Sequence, residues 1–171
     1  MGKRGSRFEN LAVAVHQNAD GAFECLVRTY QDQLFNYACR LVTNSYDAQE
    51  VTQDAFVRAH RALTTRYDDA RCAGLMLGPW LYRITRNLAH SRRRARLSRR
   101  EMSIEESADG NPPMLSCPPE AARNAETTER TRILEVALER LGPEGRELIV
   151  LRFMEELSYA EIAKIVGTSE V

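Results

Sequence analysis

PWLYRITRNLAHSRRRARLSRR, residues 79–100, holds eight arginines between Arg83 and Arg100 and no acidic residue. Gly78-Pro79 predicts the opening of a helix, because a proline in the first turn gives up no hydrogen bond. Leu81, Ile84, Leu88 and Ala95 return at helical spacing and predict a core-facing stripe. Arg83, Arg86, Asn87, His90, Arg93 and Arg94 fall together near another face. Like charges crowded in this way repel, and a polyanion relieves the repulsion through counterion release. Arginine suits phosphate because its planar fork binds two oxygens at once. Trp80 and Tyr82 set aromatic rings beside these cations, and unpaired bases stack on such rings at about 1–3 kcal/mol each. The pattern predicts a helix that holds single-stranded or melted DNA. By residue type alone, the rings suit a core equally and the arginines a solvated face. A membrane surface is disfavoured, since little apolar surface remains beyond the core stripe.

Elsewhere the chain is helical in pattern and divides in two. Residues 101–119, EMSIEESADGNPPMLSCPP, carry four of the six prolines and an Asp-Gly pair, which break any regular period. They read as a linker between helical domains at 1–100 and 120–171. No alternating β-branched run predicts a strand, so the expected class is all-α. In the first domain, Asp20 is expected to cap a helix reaching about Val42. Asn44-Ser45-Tyr46 reads as a turn, and Asp47 as the cap of a second helix, with Glu50 completing a capping box. Residues 7–17 carry a weaker helix signal, and 67–78 read as a loop. In the second domain, a helix is expected from Glu120 to Leu141. Gly142-Pro143 then starts another, reaching about Glu155. Ser158 with Glu161 forms a capping box, Gly167 suits a left-handed C-cap, and Thr168 or Ser169 would cap a further helix. A short helix, a glycine turn and a new helix start make a helix-turn-helix.

The 171 residues carry 24 basic and 24 acidic side chains and a formal net charge of zero. The zero is a cancellation. Residues 1–100 hold 17 basic and 9 acidic side chains, a balance of +8, and residues 101–171 hold 7 and 15, a balance of −8. Such asymmetry points toward nucleic acid. No apolar run approaches the roughly 18–20 residues needed to span a bilayer, and no secretory pattern opens the chain. Cys25, Cys39, Cys72 and Cys117 form no close pair, so reduced, packed thiols are expected, with no metal site and no cofactor. No nucleotide-binding loop, catalytic triad or zinc-protease pattern is present. Asp68-Asp69 reads as solvated surface.

Three ordered motifs carry a family resemblance: YDAQEVTQDAFVRAHRAL (46–63), PWLYRITRN (79–87) and LGPEGRELIVLRFMEELSYAEIAKIVGTSEV (141–171). With the variable linker between the last two, the chain from about Ala22 resembles bacterial sigma factors of the extracytoplasmic-function (ECF) group. That resemblance implies a cytoplasmic promoter-specificity subunit without catalysis, small-molecule substrate or membrane insertion. Its partners would be core RNA polymerase, promoter DNA and an anti-sigma factor. It implies that Glu50, Gln53, Asp54, Val57, Arg58 and Arg61 dock on the clamp helices of the polymerase largest subunit. Without it, Asp54 and Arg58 would read as an ordinary i,i+4 pair on a solvated face. It further implies that Trp80, Tyr82, Arg83, Arg86, Asn87, His90, Arg93 and Arg94 melt and hold the −10 region. A helix-turn-helix containing Ser158, Tyr159, Glu161, Ile162, Gly167, Thr168 and Ser169 would meet the −35 element. Only Ser169, Glu170 and Val171 follow the turn, whereas a recognition helix needs about 10 residues. The helix-turn-helix is therefore expected to be incomplete, with Ile162 and Ile165 left uncovered. Two other readings stay open: a sigma-like protein that sequesters polymerase or an anti-sigma factor, and a duplex-binding helix-turn-helix regulator.

Overall fold

A computed structural model of the chain describes residues 9–42, 44–102, 141 and 143–167. Among these residues every regular element is helical. The helices are α1 (Leu11–His16), α2 (Ala22–Leu41), α3 (Ser45–Thr65), α4 (Asp69–Ala73), α5 (Leu77–Met102), α6 (Pro143–Ile149) and α7 (Tyr159–Val166), with a π-helical turn at Val150–Met154 between the last two. The expected helix at 120–141 apart from its last residue, nearly all of the linker, Cys117, Thr168 and Ser169 lie outside the described residues.

Two of the expected caps are corrected. Asn44, rather than Asp47, caps α3: its side chain accepts from the Asp47 amide at 2.7 Å, so the helix begins earlier and Asp47 lies inside its first turn. Gly21, in a left-handed conformation, begins α2 without a side-chain cap, and Asp20 does not serve. The weak N-terminal signal is a real helix, because the Asn10 side chain accepts from the Ala12 and Val13 amides. A short helix, α4, also interrupts the expected loop. Asp68 caps it at the Arg71 amide, 2.8 Å away.

Helices α2, α3 and α5 form the central bundle. At one end Leu26, Leu34, Leu63 and Leu81 are fully buried. At the other, Ala38, Ala48, Ala55 and Ala89 allow close approach beside Val51 and Leu88. Ala95, assigned to the core stripe of α5, is exposed. Helix α1 is tied down by His16, whose Nδ1 lies 2.7 Å from the Leu63 carbonyl. A carbonyl only accepts, so Nδ1 carries the proton. Cys39 and Cys72 are buried, and Cys25 is half-buried.

The basic helix is locked to the start of α3. Arg92 donates through Nε to Asp47 at 2.7 Å and through a second nitrogen to Glu50. Arg96 adds a contact to Asp47 at 3.3 Å.

The 141–167 unit shares the main core. Val150, Leu151, Ile162 and Ile165 belong to the same apolar cluster as Tyr37, Leu81 and Tyr82. Ile162 and Ile165, expected to be uncovered, are only 5% and 1% exposed. Helix α7 lies against α5, and that contact covers them. The Ser158–Glu161 capping box and the left-handed Gly167 C-cap form as expected.

Two outcomes test this framework. Arg92→Ala should remove charge-assisted bonds worth about 1–2 kcal/mol at this half-exposed site and lower the thermal midpoint by about 3–6 °C. An unchanged melting curve would show that α5 does not depend on the clamp. Ser158→Ala should cost about 1 kcal/mol of stability at neutral pH. The Ser158 hydroxyl and amide hold the Glu161 carboxyl below its ordinary pKa. This contribution is complete above the ordinary carboxylate range and fades as pH falls through the lowered value. The stability gap between Ser158→Ala and the unmodified chain should accordingly narrow in acid, as read by chemical denaturation at several pH values.

Candidate nucleic-acid interface

Helix α5 is amphipathic, but the neighbouring elements divide its polar face into two edges. One edge is open. Arg83, Asn87, Arg93 and Arg94 are all exposed. The three arginines have no ion-pair partner among the described residues, so their charge is uncompensated.

The other edge is covered by α6 and the π turn. Glu147 of α6 is 3% exposed. Its Oε1 accepts from Tyr37 Oη at 2.6 Å and from Arg86 Nε at 2.8 Å. Its Oε2 lies 3.4 Å from His90 Nε2, which makes no aligned hydrogen bond. At the end of the π turn, Glu155 accepts from Tyr82 Oη and lies 3.9 Å from Arg40. Burial pushes the Glu155 carboxyl above its usual range, and the Tyr82 bond and Arg40 only partly oppose it. Burial also raises the Tyr37 and Tyr82 phenols, helped by the carboxylate beside each. Both tyrosines therefore remain protonated donors.

This division relocates several predicted residues. Tyr82, expected on the nucleic-acid face, is 3% exposed and packs edge-on against Tyr37 with centroids 5.2 Å apart. In this arrangement its ring is closed to a base. Arg86 and His90 face Glu147 rather than solvent. Trp80 is half-buried and leans on Tyr67 at 5.6 Å, while Arg71 lies over the other aromatic ring of this group, 4.1 Å from the Tyr67 centroid.

On α3, Gln53, Asp54, Val57, Arg58 and Arg61 form a contiguous exposed surface, with Val57 54% exposed. No ion pair joins Asp54 to Arg58 among the described residues, so the expected i,i+4 pair is absent. Glu50 stands at the edge of this surface, held by Arg92. In the helix-turn-helix, Tyr159 is 74% exposed beneath the Arg152 guanidinium, 5.3 Å from its ring. Lys164 reaches Met76, in the segment that leads into α5, at 2.8 Å.

Sequence reasoning missed Arg92 and Glu147, although each left a signal. Arg92 lies 11 residues after Leu81 and four after Leu88, on the apolar stripe. Glu147 precedes Val150 by three positions and Leu151 by four, again on the stripe. A charge on a stripe must meet a partner when the stripe is buried.

Among the described residues no group of three metal-ligating side chains occurs, and no helix is long and apolar enough to cross a membrane.

Comparison with known proteins agrees with this architecture. Residues 26–99 match the family described as Sigma-70 region 2, and residues 131–171 match Sigma-70, region 4. The ECF RNA polymerase sigma factor SigM of Mycobacterium tuberculosis is 33% identical over 173 residues, covering 99% of this chain and 79% of that protein. SigE of Mycolicibacterium smegmatis is 33% identical over 88% of this chain, and BldN of Streptomyces coelicolor 31% identical over 87%. The chain spans about half of the latter two, 55% and 53% of their lengths. Among solved structures, CnrH in complex with the cytosolic domain of CnrY is similar, with a TM-score of 0.60 and 26% identity over 93% of this chain and 82% of that one. The chain belongs to the ECF sigma factors of the sigma-70 family.

Proposed function

We propose that the chain is a promoter-specificity subunit of RNA polymerase. It would dock on core polymerase through α3, capture the melted −10 strand along α5 and bring a helix-turn-helix toward the −35 element. The unpaired cationic edge of α5, with Arg83, Arg93 and Arg94 open to solvent, carries this reading. An uncompensated arginine row suits a polyanion better than any neutral ligand. Asn87, exposed on the same edge, supplies both a donor and an acceptor for a base. Polymerase would supply the chemistry, and this chain the docking and strand capture. Regions 1–100 and 120–171 would be its two working parts. A cytoplasmic setting follows from that partnership.

An exposed apolar residue ringed by charges suits a protein contact. Val57, between Asp54 and Arg58 and near Arg61, is such a site on α3 and supports docking to the clamp helices of the polymerase largest subunit. Likeness to CnrH, which was solved with the cytosolic domain of CnrY, supports an anti-sigma partner as well.

Arg93→Ala with Arg94→Ala should weaken binding to a −10-like single strand. It should also flatten the dependence of log affinity on log salt by about 1.4, at roughly 0.7 per lost phosphate contact. An unchanged slope in fluorescence titrations would place these arginines off the strand. For docking, Asp54→Ala with Arg58→Ala should cut recovery of core polymerase in pull-downs several-fold without changing the melting temperature. Undiminished recovery would remove this face from the polymerase contact.

A further inference from the structure

Helix α4 has five residues, too few to hold its shape alone, because one turn fixes more backbone freedom than its bonds offset. Its support comes from α1. Cys72 is fully buried in the same apolar cluster as Leu11, Ala12, Ala14 and Val15, and polar groups at the two ends of α1 grip α4 on either side of Arg71. At the first end, Asn10 works in two directions. Its Oδ1 accepts from the Ala12 and Val13 amides at 3.1 and 3.2 Å, and its Nδ2 donates to the Ala73 carbonyl at 3.2 Å. One side chain thus caps the start of α1 and satisfies a carbonyl left open at the end of α4. At the second end, Gln17 Nε2 donates to Asp69 Oδ1 at 3.4 Å, and His16 Nε2 lies 3.6 Å from the same oxygen. The bond from His16 to the Leu63 carbonyl ties this grip to α3. Between the grips, the Arg71 guanidinium lies over the Tyr67 ring, which is tilted 50° against Trp80. Trp80, Arg83 and Asn87 recur at helical spacing, so this group stands at the head of the open edge of α5.

We propose that α1 is a positioning element for strand capture: through Asn10 and Asp69 it sets where α4 carries Arg71 and therefore how Tyr67 stands beside Trp80. The inference rests on the strand-capture reading and adds residues outside α5 to it. A base leaving the strand at the head of α5 meets a shelf of rings, and the extent of that shelf depends on Tyr67. A guanidinium over a ring is attracted to its face, so Arg71 holds Tyr67 in place as long as α4 keeps its position. Releasing either grip leaves Arg71 on an unsupported turn, frees Tyr67 and removes one wall of the shelf. The arginines of the open edge are untouched by this. Two quantities thereby separate. Helix α1 governs how strongly a base at Trp80 is preferred to none, and the cations of α5 govern affinity for the backbone.

The test uses the full chain and a fluorescein-labelled 12-nucleotide single-stranded DNA in which each base in turn is replaced by an abasic site. With the unmodified chain, one position should weaken binding about tenfold when its base is removed, as expected for one aromatic stack. Asn10→Asp keeps the shape and the cap of α1 and loses only the donor to Ala73. It should shrink that penalty to about threefold or less, bind the abasic strand as the unmodified chain does, and keep the melting temperature. Emission from Trp80, the single tryptophan, should move to longer wavelength as the shelf opens. Asp69→Ala releases the other grip and should give the same loss of base preference should the first variant misfold. Tyr67→Leu should abolish the preference. Equal losses for intact and abasic strands would reduce α1 to a stabilising role and overturn the positioning, as would an unchanged penalty in both grip variants. If no position is sensitive while Arg93→Ala/Arg94→Ala weakens the strand, strand capture stands and only the positioning fails. If no variant binds the strand, both fail.

Discussion

Burying the Glu147 carboxylate at 3% exposure is the constraint on which the relation between the two parts of the chain depends. A lone buried charge costs several kcal/mol, and it is tolerated only when its oxygens are bonded. Tyr37 on α2 and Arg86 on α5 meet that requirement from two helices of the central bundle. The apolar seat of Leu151, Ile162 and Ile165 supplies most of the driving force, but apolar contact is non-directional. Glu147 converts a greasy contact into one orientation, since sliding α6 by one turn would strand the carboxylate away from both donors.

Helix α5 thus serves three masters. Its apolar stripe completes the bundle, Arg92 and Arg96 fasten it to the first turn of α3, and its polar face splits between solvent and α6. The clamp to Asp47 and Glu50 has a mechanical meaning. The proposed polymerase surface on α3 and the proposed strand surface on α5 move as one body, so docking one fixes the angle of the other.

Much of this was legible from residues alone because helices announce themselves by spacing. The stripes of α3 and α5, the Ser158–Glu161 capping box and the Gly167 stop follow from patterns internal to one segment. Two caps were misassigned where competing residues lie close together. Asn44 and Asp47 are both good caps three positions apart, and the choice turned on which amide the Asn44 oxygen reaches. The splitting of the α5 face was not legible, because a helical wheel shows which side chains share an arc and is blind to what lands there. For the same reason Ile162 and Ile165 read as uncovered: their cover is α5, which ends 60 positions before Ile162 in the chain.

The π-helical turn at Val150–Met154 sets a phase. Eight residues at about 100° each would leave Glu155 roughly 80° around an unbroken α-helix from Glu147. A π turn advances fewer degrees per residue and rotates Glu155 back toward the side that Glu147 faces. Both carboxylates consequently look at the same bundle although no α-helical period relates them. Residue count in this stretch, more than the identity of any side chain, aims the second acid. Removing one residue there would turn Glu155 out of line as surely as mutating it.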